Sequence, residues 1–199
     1  ITLIRLIKRP SISFTAMNPP PRKIKFLDPQ QIREIVDGIP KTTESGLLYK
    51  TLIVVLFSTG LRISEALSLK TAWLKLDSTE TQEFPITGKG GQTRPVYFSP
   101  DTLRMIKKYI EIRKRKSEYV FPIGVRAAQK YIKKWGEWAG FKGIRPHVFR
   151  HSFAVYVLSK ESNLRICQEL LGHRSITTTQ IYTTITNKQL EKVHKEIFK

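Results

Sequence analysis

Apolar positions recur along most of this chain at the three-to-four-residue spacing of helices that bury one face. That spacing predicts helices over about 29–38, 45–59 and 63–69, and again over 100–115, 124–139, 147–160, 163–171 and 175–184. Asp28-Pro29 supplies an N-cap followed by proline at the first helical position, so the folded region is predicted to begin there. Gly60 is placed to end the second helix, and Gly172 one of the later ones. A last amphipathic segment, 188–198, sets Leu190, Val193 and Ile197 on one face. Residues 73–98 break the helical period. The segments 73–76, 83–87 and 94–98 read as short strands, with Gly88-Lys89-Gly90-Gly91 as a tight turn between the last two. The prediction is an α+β domain, mostly helical, with one small antiparallel three-stranded sheet. Residues 1–22 contain Pro10 and Pro19-Pro20-Pro21 and show no sustained period, so they read as an extended linker or tail, with the domain spanning 23–199.

Composition leaves that picture standing and adds a partner. A chain of 199 residues that is 40% hydrophobic can bury a real core as one domain. Its charge balance is unusual: 35 Lys and Arg against 16 Asp and Glu give a formal net charge of +19. Nucleic acid is the leading anionic partner, because neutralising phosphates releases condensed counterions and drives binding. A solubilising basic surface and ribosome-like RNA binding are the alternatives at this level, and charge says nothing about catalysis. The single cysteine, Cys167, excludes a disulfide within the chain and lies in an apolar pattern, so a buried structural thiol is expected. The apolar run 52–57 is far too short to span a bilayer. Residues 1–7 are interrupted by Arg5 with no clean cleavage site after them. The chain starts without Met, which suggests a fragment of a longer protein.

Four islands carry candidate chemistry. In TGLRISEAL, residues 59–67, Arg62 follows a helix-ending glycine and is presented at an element boundary. Alone it reads as a surface arginine. In 88–94, Lys89 sits at a glycine-flanked hairpin tip, where it can reach into a groove; alone it reads as a solubilising turn. The spacing is not that of a phosphate-cradling P-loop. In 145–153, Pro146 pre-sets a helix start, and His147 and Arg150, three apart, share a face of its first turn. Phe149 and Phe153 face the core, and His151 points elsewhere, as a structural or supporting group. In 170–182, Gly172 ends one helix, Ser175 can cap the next, His173 sits in the junction, and Tyr182 falls about two turns beyond. Most tyrosines are half-buried packing residues, and that is the plain reading of Tyr182 in isolation. No carboxylate cluster or His/Cys set has metal-ligand spacing, and Cys167 with His173 is too sparse for zinc.

Taken together and in this order, Arg62, Lys89, His147, Arg150, His173 and Tyr182 resemble the signature of the tyrosine recombinases, also called the phage integrase family. TGLRISEAL, HVFRHSFA and LGHRSITTTQIY are similar to the corresponding stretches of Xer-type recombinases and mobile-element integrases. The resemblance runs from about residue 28 to 186. The family's separate N-terminal core-binding domain has no counterpart here, in line with a fragment.

The resemblance implies the tyrosine-recombinase catalytic-domain fold and a site-specific recombinase, or integrase, that cuts and rejoins DNA through a 3′-phosphotyrosine link. Tyr182 would be the nucleophile, His147 the general base and Lys89 the general acid. Arg62 and Arg150 would clamp the non-bridging phosphate oxygens, and His173 would donate a hydrogen bond to one of them. Glu65, one turn beyond Arg62, is read either as orienting these groups or as an exposed surface residue. Arg94 and Arg126 are candidate DNA contacts. No metal, ATP or other cofactor is expected, since two arginines supply the positive charge and the covalent link conserves the bond energy. The expected partner is a double-stranded DNA recombination site, bound by a homotetramer, with the isolated domain monomeric or weakly associated. No membrane is involved, and the location is cytoplasmic and DNA-associated, in a prokaryote or encoded by a virus or plasmid. The segment 188–198 packs on its own domain or is exchanged onto a neighbouring protomer. A type IB topoisomerase-like strand transferase and a catalytically silent DNA-binding protein of the same fold are the competing functions.

Overall fold

The computed structural model describes residues 26–88, 91, 93–160, 163–172 and 187–198, the last segment in side-chain detail from Glu191 onward. The chain enters through α1 (Pro29–Gly38), whose start is closed by reciprocal bonds between Asp28 and Gln31. Next is α2 (Glu44–Thr59), capped by the Thr43 hydroxyl, which accepts from the Gly46 amide at 3.0 Å. α2 is apolar almost all round, and Leu52, Ile53, Val55 and Leu56 are fully buried. A helix with no polar face belongs in the middle of a domain. α2 accordingly packs against α4 (Pro100–Ile112), α5 (Val125–Trp138) and α6 (Pro146–Lys160).

Between α2 and α4 the chain makes a short helix, α3 (Ile63–Leu67), and an antiparallel hairpin. Its strands are β1 (Gln82–Thr87) and β2 (Thr93–Phe98), in register from Gln82 opposite Phe98 to Thr87 opposite Thr93. The sheet has two strands among the described residues, not the predicted three. Residues 73–76 do alternate, with Leu74 buried between exposed Trp73 and Lys75. Yet the Gln82 side chain takes the place of a neighbouring strand: its Oε1 accepts from the Lys75 amide at 2.7 Å and its Nε2 donates to the Trp73 carbonyl at 2.9 Å. The chain before it coils into a 3₁₀ turn, Thr71–Trp73.

Two apolar clusters result. The larger joins α1, α2, α4, α5 and the start of α6. The smaller brings Tyr97 of β2 together with Phe153 and Val157 of α6, Cys167, Leu170 and Leu171 of α7 (Leu164–Leu171), and Val193 of α8 (Asn187–Ile197). Cys167 is the buried thiol expected. Burial pushes it up to about 11, with Arg150 opposing, so it is protonated and inert at neutral pH. In the single chain α8 packs on its own domain. The helix predicted over 175–184 lies outside the described residues.

Candidate active site

α2 ends at Gly60 in the left-handed conformation, φ 64°. A Cβ there would also sit 2.7 Å from the Phe153 ring, so both the turn and the packing require glycine. The turn delivers Arg62 to the N-cap of α3. Glu65, three residues on, accepts from the Arg62 amide (2.7 Å) and from its guanidinium (2.8 Å). Glu65 is only 7% exposed, which decides between the two readings of it: it is an internal group. Its other partner comes from β2. Arg94 Nη1 and Nη2 reach the two carboxylate oxygens at 3.3 and 2.9 Å, the fork geometry that suits guanidinium to carboxylate. Burial alone would raise the Glu65 pKa. Hydrogen bonds from Arg94 and Arg62, with the charge of Arg94, outweigh it and bring it down to about 2.

Arg150 reaches the same place from α6. Pro146 starts that helix, while Phe149 and Phe153 anchor it in the core. The Arg150 guanidinium is itself buried. It donates to the carbonyl of Gly60 and, at 2.6 Å, to that of Leu171. Arg94 Nε donates to the Leu170 carbonyl at 3.3 Å. The final carbonyls of a helix have no partner within it, and here two arginines take up those of α7. The following residue, Gly172, is again left-handed (φ 64°), and a Cβ on it would lie 2.5 Å from Arg94 Cδ. Three guanidiniums thus surround one carboxylate, 3 − 1 = 2 positive charges in excess. Burial, then Arg62 and Arg94, lower the Arg150 pKa to about 10, with Glu65 opposing, so it is still cationic at neutral pH. Of the three side chains Arg62 is the accessible one, at 35% against 6% for Arg94. The arrangement is a preformed cationic socket that opens at Arg62 and is suited to an anion. His147, one turn before Arg150, is exposed at the start of α6.

The model of the phage integrase family matches residues 25–189. The chain belongs to the phage integrase family. It is 33% identical over 180 residues to the tyrosine recombinase XerA of Pyrococcus furiosus, covering 84% of this chain and 60% of that one. With the tyrosine recombinase XerD of Corynebacterium glutamicum it shares 37% identity over 196 residues, 89% of this chain and 63% of that one. The chain therefore spans about three fifths of the length of these relatives. Among solved structures it resembles XerA recombinase, with a TM-score of 0.65 and 24% identity over 89% of this chain and 66% of that one. It also resembles the XerH site-specific recombinase bound to difH substrate in a pre-cleavage complex, with a TM-score of 0.65 and 25% identity over 76% and 47% of the two chains. The fold is that of a tyrosine-recombinase catalytic domain.

Within this integrase-family domain the structure brings together Arg62, Glu65 and Arg150 of the residues singled out from sequence. Lys89, His173 and Tyr182 lie outside the described residues, although residues adjoining the first two are placed. The hairpin leading to Lys89 is closed by the Gly91 amide donating to the Gly88 carbonyl at 3.2 Å and by the Thr87 and Thr93 hydroxyls 3.0 Å apart. The chain leading to His173 passes Arg94 and Arg150 at Gly172. Arg94 itself is a correction: expected as a DNA contact, it is buried and clamps Glu65. Arg126 is exposed in the first turn of α5. His151 is exposed beside the Phe26 ring, centroids 6.2 Å apart. The carbonyls of Gly60 and Leu171 escaped the sequence reading; the two helix-ending glycines beside them were their only signal. Among the described residues no three His, Cys, Asp or Glu gather as a metal site, and no helix is long and apolar enough to cross a membrane.

Proposed function

We propose that this chain is the catalytic domain of a site-specific DNA recombinase that breaks and rejoins strands through Tyr182. The observation carrying the reading is the cationic socket of Arg62 and Arg150, with its two surplus charges, built against the end of α7 at Gly172, the residue that precedes His173 in the sequence. A phosphodiester seated there would find its non-bridging oxygens facing guanidinium donors, where transition-state charge develops. The Tyr182 oxygen would attack phosphorus as its proton passes to His147. The phosphorus–O5′ bond breaks with its electron pair going to O5′, and Lys89 protonates that departing oxygen to give a free 5′ hydroxyl. The product is a 3′-phosphotyrosine link that stores the energy of the broken bond, and attack by another 5′ hydroxyl reverses the steps on a new strand. Glu65 and Arg94 hold Arg62 in place. His173 donates to a phosphate oxygen. The socket supplies the charge a divalent ion would otherwise supply, so the reaction is expected to run in EDTA and without ATP. The partner is a double-stranded recombination site, on which four copies assemble.

The test is a nicked DNA half-site mixed with the full-length protein in EDTA. An SDS-resistant covalent adduct is expected, and Tyr182→Phe should abolish it. No adduct from the wild type, or an adduct that persists in Tyr182→Phe, would sink the mechanism. Strand exchange between two half-sites, rather than relaxation of supercoiled DNA alone, separates a recombinase from a topoisomerase-like enzyme.

A further inference from the structure

α8 turns a charged face outward, with Lys195 paired to Glu191 at 2.8 Å and Lys192 to Glu196 at 3.9 Å. On its inner face it buries an imidazole. His194 is 1% exposed, between the rings of Tyr97 (5.7 Å) and Phe198 (4.9 Å). Its Nε2 lies 2.8 Å from the Ser58 carbonyl oxygen. A carbonyl only accepts, so Nε2 carries the hydrogen and Nδ1 is bare. That Nδ1 is buried with no partner among the described residues.

An imidazole with one nitrogen stranded is a poor space-filler compared with a phenyl ring. What it offers instead is a donor for Ser58, in the last turn of α2, whose carbonyl has no donor within its own helix. Two residues later Gly60 presents the carbonyl that holds Arg150, and two beyond that stands Arg62. A second contact grips the same turn. Phe198 stacks on Phe153 with centroids 5.5 Å apart and planes 9° from parallel, and the Phe153 ring lies against Gly60.

We propose that His194 is a positioning residue for the arginine socket, fixing the 58–62 turn through the Ser58 carbonyl so that Gly60 holds Arg150 and Arg62 in register. This rests on the function proposed above, in which those arginines hold the phosphate. Burial lowers the imidazole to about 4, the Ser58 carbonyl opposing, so it is the neutral donor at neutral pH.

Two polar variants of the full-length protein separate the contact from mere packing. Glutamine places an amide N–H near the Nε2 position, while asparagine places one near Nδ1. With nicked half-site DNA, His194→Gln is expected to form adduct at close to the wild-type rate. His194→Asn should be slower by about tenfold or more, because small displacements of a clamping group are costly, with half-site affinity within about twofold of wild type. The Arg150 side-chain N–H resonance should shift in His194→Asn and return in His194→Gln, which loss of packing alone would not produce. Equal adduct rates in the two variants with an unmoved Arg150 resonance overturn the proposal, as does loss of folding in both, which assigns His194 to stability alone. A wild type that forms no adduct fails the functional reading instead and leaves the Arg150 resonance as the readout of His194.

Discussion

Glu65 is one carboxylate holding two guanidiniums, and its ionisation depends on them. Its pKa of about 2 lies below the ordinary value of 4.5 because the charged form is the one they bind. The sign follows from linkage: the unfolded chain binds the proton more tightly, so the stabilisation is complete above about pH 4.5 and is lost as pH falls toward 2. A shift of this size corresponds to about 3 kcal/mol. Urea unfolding of Glu65→Gln should show about that loss at pH 7, and a flatter stability profile than wild type between pH 4.5 and 2. Parallel profiles would show that Glu65 does not carry this linkage. The same residues show what a sequence makes legible. Arg62 and Arg150 were identified by motif context. Arg94, an arginine on a short strand, looked like a surface contact. Its burial depends on Glu65, 29 positions back, and on the end of α7, 76 positions ahead, pairings that no local pattern encodes.

Among the elements, helix ends do more to build the site than helix interiors. The described helices and the hairpin strands were readable to within a few residues, most from the one-faced spacing of their apolar positions and α2 from an apolar run closed by Gly60. The strand expected at 73–76 was not found, because a single side chain, Gln82, satisfies the backbone groups on which a neighbouring strand would have paired. Helix-ending glycines were also readable, but not the carbonyls they expose to Arg150 and Arg94. Gly172 shows the consequence. Its φ of 64° makes alanine costly by about 1–2 kcal/mol at such a site. A Cβ 2.5 Å from Arg94 Cδ must in addition displace the clamp on Glu65. Gly143 has φ 78°, and among the described residues no atom stands within 4 Å of where its Cβ would be, so it carries the backbone cost alone. Gly172→Ala should therefore lower the melting temperature clearly more than Gly143→Ala, and should slow adduct formation where Gly143→Ala does not. Equal melting temperatures would mean that the α7 end yields without disturbing Arg94.

At the scale of the molecule the net charge of +19 was plain from composition, but not which cations are available to the proposed DNA partner. Much of the basic surface is engaged with its own acids: Lys107 with Asp77, Lys133 with Glu137 and Arg165 with Glu169. On α5, exposed Arg126 and Lys130 form no ion pair among the described residues, whereas Lys133 on the same helix lies 3.7 Å from the Glu137 carboxylate. Unpaired cations release counterions from phosphate at no cost in broken ion pairs, so the first two are the better candidates for backbone contacts. Each phosphate contact contributes about 0.9 to the slope of log K against log salt concentration. If Arg126 and Lys130 both touch the backbone, the double variant Arg126→Ala, Lys130→Ala should lower that slope by about 1.8 and weaken binding similarly on every sequence tested. Lys133→Ala should leave the slope nearly unchanged. A double variant with the wild-type slope would place the DNA face elsewhere on the domain, while a change confined to one sequence would assign these side chains to base contacts rather than to phosphate.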